Sequence, residues 1–410
     1  MDAEKLAVTA WTIAAGLAGE TEPELLRSFC ERARAAGLPV AIATVVIDTL
    51  HPVHEGRVFR WRREAPEKGT ISAYGRSDSD DEAAASWQSS TFRHLLVTGQ
   101  SSLRRRIGPG HPADFPVLED LAREGQADYL ALIHRFSPAG AIGEMDCIYS
   151  SWATDRPSGF TDAELDALRE TVAPLALALK AASLQRIAET LVETYLGRDA
   201  GHRVLKGKIA RGVTEKISAV VWLSDIRGFT RLTETAAPED IIPFLNDYAE
   251  ATITSIHEFG GDVLKLMGDG ILAIFRGEPL ARACGEALSA ERRMRERLQS
   301  LDRERRAKNL SVGSPYVGLH VGDVFYGNIG SHDRLDFTVV GPAVNEASRI
   351  CGLCRSVERD LLVSSALHEA ASEADRAQLV SVGRYALRGI DRPQHLYTRE
   401  PEAEPSAGEA

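Results

Sequence analysis

Apolar residues recur along this chain with two different periods, and each change of period marks an element. Residues 4–18 and 22–36 place apolar side chains at helical intervals and predict two amphipathic helices. Residues 39–50 are β-branched and apolar with hardly a break, which predicts a buried strand. Residues 56–63, 69–74, 127–136 and 146–154 predict further strands, and the polar, acidic stretch at 77–84 predicts a loop. Strands mixed with flanking helices make the first 160 residues an expected α+β domain.

A long helix is predicted next, over 161–196. Thr161 and Glu164 form the pattern of a capping box, and Phe160 and Leu165 that of a hydrophobic staple. Leu165, Leu168, Val172, Leu175 and Leu179 keep a three-four spacing, which resumes after a phase shift at Leu184, Ile187 and Leu191. The first half is expected to pack on its own sheet and the second half to pair across a dimer, with Pro174 producing a kink or a joint. Residues 198–216 are polar and basic and read as a junction. A helix is predicted over 238–259, closed by Gly260 and Gly261, with Leu245, Tyr248, Thr252, Ile256 and Phe259 facing inward. Residues 291–308 are strongly charged and predict a solvated helix, and the acidic tail from 400 predicts disorder.

Composition narrows the classes. At 410 residues the chain is long enough for two cored domains. A net charge of −11 argues against non-specific nucleic-acid binding. The apolar run 6–19 is short for a membrane span, and the acidic residues before it do not resemble a signal peptide, so a cytoplasmic protein without a span is expected. Five cysteines, an odd number, suit reduced thiols; Cys351 and Cys354 have no second pair nearby and read as core residues of a helix.

Chemistry concentrates in the second half. The apolar strand 217–224 ends in Asp225, and Arg227-Gly228-Phe229-Thr230 follows, a turn able to open a helix whose free N–H groups suit a polyphosphate. Lys265 and Asp269 flank Met267-Gly268, where a hairpin turn would bring the second carboxylate close to the first. Two clustered carboxylates beside a phosphate-binding turn are what Mg²⁺ favours. Each piece alone has a plainer reading: Asp225 as a cap, Gly268-Asp269-Gly270 as a turn, Lys265 as a paired side chain, Asn345 and Arg349 as one helix face. Their joint order is the informative feature.

Together with Asp336-Phe337-Thr338-Val339-Val340-Gly341-Pro342-Ala343-Val344-Asn345-Glu346-Ala347-Ser348-Arg349, these segments resemble the catalytic domain of class III nucleotidyl cyclases, over about residues 214–398. The resemblance implies an α+β fold, a ferredoxin-like, antiparallel-rich sheet with helices on one face. It implies that Asp225, Asp269 and the backbone carbonyl of Ile226 hold two Mg²⁺ or Mn²⁺ ions per site. It implies that Asn345 orients the ribose and Arg349 neutralises the α-phosphate, a pair whose i, i+4 spacing puts both on one helix face. Gly228, Phe229 and Thr230, and Arg388, match phosphate-binding positions, with Arg334 a lesser candidate. Lys265 and Thr338 match the base-reading positions. A Lys donor suits the unprotonated N1 of adenine and is left poorly paired against guanine, so ATP is the expected substrate. Many family members carry Asp where this chain has Thr338.

The family shares each site between two domains, and this chain carries both residue sets once, which implies a homodimer joined through the cyclase domains and the linker helix. Gly260-Gly261-Asp262 also resembles the diguanylate cyclase signature, but Val263-Leu264 stands where Glu-Phe should follow. The segment 155–165 resembles the end of a GAF domain, with PAS as the alternative. The expected layout is a GAF-like sensor at 1–160 taking an unknown small-molecule or protein signal, a long helix at 161–197, a junction at 198–216, a cyclase domain at 217–398 and a tail at 399–410. The expected function is adenylate cyclase; the alternatives are a cyclase for GTP or a pyrimidine nucleotide, and a nucleotide-binding scaffold.

Overall fold

The computed structural model describes residues 2–75, 81–136, 142–143, 145–390 and 393–399. The chain forms two compact units, Met1–Leu191 and Val192–Ala410. In the first, helices α1 (Asp2–Ala18) and α2 (Glu22–Ala35) precede strands β1 (Ile42–Asp48), β2 (His54–Arg62) and β3 (Thr70–Gly75). Then come α3 (Asp81–Gln88), α4 (Thr91–Thr98), β4 (Ser102–Arg106), α5 (Pro116–Arg123), β5 (Asp128–Arg135), β6 (Cys147–Thr154) and α6 (Asp162–Leu196). The strands make one antiparallel sheet in the order β3-β2-β1-β6-β5-β4.

The unbroken apolar run of β1 has a direct cause: β1 lies mid-sheet and is covered on both faces. Ala43, Val45, Phe59, Trp61, Leu130 and Trp152 face a core shared with α1, α2 and α6. Ile42, Tyr129, Ala131 and Tyr149 face Leu95 of α4 and Leu118 and Leu121 of α5. The sequence pattern missed α4, β4 and α5, which are too short to display a period. Residues 81–84, expected in a loop, begin α3; 77–80 lie outside the described residues.

At the start of α6 the capping box forms: the Thr161 N–H donates to Glu164 Oε2 at 2.7 Å, and the Glu164 N–H to Thr161 Oγ1 at 3.3 Å. Phe160 and Leu165 are both buried, as a staple requires. The helix runs unbroken through Pro174. Ile187 is buried in the first unit's own core, and Leu184 and Leu191 pack against it. The apolar face of the second half is therefore used within the chain.

The second unit contains α7 (Arg198–Leu205), β7 (Thr214–Ile226), α8 (Phe229–Thr235), α9 (Pro238–Glu258), β8 (Asp262–Met267), β9 (Gly270–Phe275), α10 (Leu280–Ala307), β10 (Pro315–Gly330), β11 (Leu335–Val340) and α11 (Pro342–Val357). It ends with β12 (Leu361–Ser364), α12 (Ser365–Ala370), α13 (Glu373–Arg376), β13 (Leu379–Tyr385) and β14 (Gln394–Arg399). The sheet order is β13-β14-β12-β10-β7-β9-β8, with β11 paired to β10. Within it, β7-α9-β8-β9-α10-β10 is a βαββαβ unit in the order β10-β7-β9-β8, the ferredoxin-like arrangement. Only the β10–β12 pair is parallel among the described strands.

Helices α9 and α10 bury Phe244, Tyr248, Ile256, Met294 and Leu298 against one face of this sheet. The expectation of helices on one face needs correction. Ala343, Ala347 and Cys351 of α11 cover the other face with Phe337 and Val339 of β11. That helix lies so close to β10 that a Cβ on Gly318 would stand 2.5 Å from the Cys351 nitrogen. One further expectation changes. The charged end of α10 is not simply solvated, because Glu291 and Arg305 are buried with Met294 and Leu298. The junction 198–216 contains α7, whose Asp199 accepts from Arg203, Arg276 and the buried Tyr326 hydroxyl. Cys351 and Cys354 are buried free thiols, as expected of core residues. Among the described residues no helix is long and apolar enough to cross a membrane.

Candidate active site

The central strand β7 ends at the site. Its interior is buried from Ala219 to Ser224, and Asp225 then turns out toward solvent. The β8–β9 hairpin supplies the second carboxylate. Met267 pairs with Gly270, so Gly268 and Asp269 form a two-residue turn, and Gly268 takes φ +67°, a conformation such turns demand. Gly270 lies directly against β7: a Cβ there would meet the Ser224 carbonyl at 3.0 Å and Asp225 Oδ1 at 3.7 Å. The Ile226 N–H donates to Asp269 Oδ2 at 3.2 Å and locks the turn to the strand end.

The structure thus brings Asp225 and Asp269 together. Burial by the neighbouring strand ends, then the charge and hydrogen bond of Asp269, push the Asp225 carboxyl up to about 6. Among the described residues no Lys, Arg or His forms an ion pair with either carboxylate. Two uncompensated carboxylates, with the Ile226 carbonyl at the same strand end, form a hard, oxygen-only donor set that fits Mg²⁺ or Mn²⁺. No cluster of three or more His, Cys, Asp or Glu able to hold a metal occurs among the described residues. Such a pair therefore suits ions that complete their shells with substrate oxygens and water.

Beside the carboxylates, Gly228 adopts φ +71° and Phe229 starts α8. Phe229 stacks on Phe244 with ring centroids 6.4 Å apart, which anchors the turn holding the Phe229 and Thr230 N–H groups. The Arg227 N–H donates to the Ser314 carbonyl at 3.0 Å and fixes the other side. Lys265, on β8, forms an ion pair with Asp336 of β11. The residue pattern had missed Asp336, although its place two residues before Thr338 on one strand was a usable signal. Thr338 is half-buried on the same strand.

Asn345 and Arg349 are exposed on one face of α11, while Ala343, Ala347 and Ile350 point inward. Neither is bonded to Asp225 or Asp269 among the described residues. Under this helix, His320 Nε2 lies 3.4 Å from Glu346 Oε2. Burial pushes His320 down to about 4, and burial also raises Glu346. Arg388 is exposed in the turn between β13 and β14, and Arg334 is exposed between β10 and β11.

Residues 213–399 match the family described as the adenylate and guanylate cyclase catalytic domain. An uncharacterized protein of Mycobacterium tuberculosis is 35% identical over 205 residues, 49% of this chain and 36% of that protein. The chain thus spans little more than a third of that relative's length. Among solved structures, the adenylyl cyclase CyaB of P. aeruginosa is 27% identical, covering 48% of this chain and all of that one at a TM-score of 0.42. The guanylyl cyclase Cya2 is also 27% identical, covering 47% and 97% at a TM-score of 0.40. The matched residues make up most of the second unit, which is therefore similar to adenylate and guanylate cyclase catalytic domains.

Proposed function

We propose that the protein is an adenylyl cyclase, forming 3′,5′-cyclic AMP and pyrophosphate from ATP at sites shared between two copies of the chain. The observation that carries this reading is the uncompensated Asp225–Asp269 pair beside a phosphate-binding turn, in a domain of the cyclase family. Asp225, Asp269 and the Ile226 carbonyl would hold the divalent ions, which when bound would acidify the ribose 3′-hydroxyl and neutralise charge at the triphosphate. The N–H groups of Gly228, Phe229 and Thr230 hold the terminal phosphates, with Arg388 as a further cation. The Asn345 amide orients the ribose so that its 3′-oxygen stands in line with the α-phosphorus. As that oxygen bonds to phosphorus and the bond to pyrophosphate breaks, the Arg349 guanidinium neutralises the added negative charge.

The Lys265 ammonium donates to adenine N1, and the Thr338 hydroxyl accepts from the 6-amino group. The exposed, outward placement of Asn345 and Arg349 on α11 supports their serving the carboxylates of a second copy. The first unit, an α+β sheet domain with the strand order given above, acts in this reading as a GAF-like sensor for a small-molecule or protein signal.

The test is a turnover assay over ATP, GTP, CTP and UTP with Mg²⁺ and with Mn²⁺, reading cyclic nucleotide and pyrophosphate. ATP is expected to have the highest kcat/KM. Equal or higher values for GTP reverse the base assignment, and nucleotide binding without pyrophosphate release identifies a scaffold.

A further inference from the structure

Asp336 brings its carboxylate onto the Lys265 ammonium, and this contact joins two strands that are not sheet neighbours. Strand β8 is the edge strand beside β9, whereas β11 pairs with β10. The β10–β11 hairpin is therefore what delivers Asp336 to Lys265. Strand parity decides what travels with it. Phe337 and Val339 point into the core at 5% and 3% exposure, so Asp336 and Thr338 share the opposite face of β11. Lys265 consequently meets the face of β11 that presents the Thr338 hydroxyl.

Stability does not explain the pair. Lys265 and Asp336 keep 45% and 40% of their side-chain surface exposed, and ion pairs so open to water contribute little to folding. What the carboxylate does supply is direction. A free lysine samples many rotamers, and each must be given up when a ligand is bound.

We propose that Asp336 is a positioning residue for base recognition: it holds the Lys265 ammonium beside Thr338, so that a donor and an acceptor stand together for the N1 and 6-amino edge of adenine. This rests on the reading of Lys265 and Thr338 as the base-contacting residues. The ammonium has three N–H donors; Asp336 occupies one and leaves others for the ring nitrogen.

The experiment compares Asp336→Asn, Asp336→Glu, Lys265→Ala and the Lys265→Ala/Asp336→Asn double variant of the full chain, measuring kcat and KM for ATP and GTP and the melting temperature. Asp336→Asn is expected to lower kcat/KM for ATP about tenfold, mainly through KM, as loss of one charge-assisted contact predicts. The ATP:GTP ratio falls with it, Asp336→Glu restores most of that ratio, and the melting temperature stays put. The double variant is expected to be no worse than Lys265→Ala alone, because Asp336 acts through that lysine. An unchanged ATP:GTP ratio in Asp336→Asn, or independent, multiplying losses in the double variant, overturns the proposal. A wild-type protein that prefers GTP refutes the adenine reading instead; coupling of the two residues on GTP turnover then decides the role of Asp336, its presence supporting the positioning and its absence refuting it.

Discussion

Two strand-end carboxylates, one in each sheet, are treated in opposite ways. In the first unit, Asp128 at the start of β5 has no exposed surface. It accepts from Arg104 at 2.7 Å, from Arg106 at 3.3 Å and from the Phe160 N–H at 2.9 Å. Glu22 is likewise buried, at 1% exposure, and pairs with Arg186 and Arg57. In the second unit, Asp225 ends the central strand with another carboxylate for its neighbour, and its proton affinity rises. One sheet uses its charges to tie elements together. The other leaves two charges uncompensated where strands end, an arrangement that costs stability and fits the cation binding proposed for them.

The largest expected effect tests that contrast directly. Asp225→Ala and Asp269→Ala should each reduce turnover by about a thousandfold or more, since several kcal/mol of transition-state stabilisation would pass through the ions they are proposed to hold. The melting temperature of the metal-free protein should stay level or rise, because a like-charge contact is removed. A variant that kept near-normal rates would falsify the site assignment; one that unfolded would show the pair to be structural.

The opposite outcome is expected in the first sheet. Asp128→Ala leaves Arg104 and Arg106 facing a buried void and should cost about 3–5 kcal/mol of stability. Denaturant unfolding of the full chain measures it. A loss below about 1 kcal/mol, within the range of surface pairs, would end the distinction between the two sheets.

The third expectation sharpens the second sheet's half of the comparison. Asp225→Ala and Arg349→Ala, each inactive alone, should regain activity when mixed and allowed to exchange subunits. If one copy supplies the carboxylates and the other the arginine, half of the dimers are mixed and each has one intact site, so roughly a quarter of wild-type activity returns. No recovery despite demonstrated exchange would place each whole site within one chain.

The smallest effect concerns His320 beneath α11. Its folded pKa lies below the unfolded value, so the folded protein resists protonation that the unfolded chain accepts. Its contribution is complete above about pH 6.5 and is lost as pH falls toward about 4. Between pH 6.5 and 5 this group alone should remove up to about 2 kcal/mol. Melting curves of wild type and His320→Gln over that range should converge on acidification; parallel curves would mean that His320 is not buried neutral.

Local pattern made much of this protein legible. The alternation and runs of β1, β5, β6 and β7 gave those strands away because one or both of their faces must be apolar. The Thr161–Glu164 box announced α6 because capping is a contact between residues close in the chain. The order Asp225, Lys265, Asp269, Thr338, Asn345, Arg349 pointed to one family because a motif's spacing is a property of the chain itself. Short α4 and α5 stayed hidden, since eight residues each hold too few turns to display a period.

Only the tertiary structure decided what depends on contacts between distant segments. Periodicity states that Leu184, Ile187 and Leu191 must be covered, but not by what, and the fold covers them with the first unit's own core. Charge on α10 suggested a solvated helix, yet Glu291 and Arg305 are buried because Arg399 and Asp247 come from elsewhere in the chain to meet them. No spacing rule brings residue 336 to residue 265; the β10–β11 hairpin does so, and with it the direction in which Lys265 points. The candidate site residues were a matter of local sequence, whereas their partners were a matter of topology, because an ion pair requires proximity in space and is indifferent to distance along the chain.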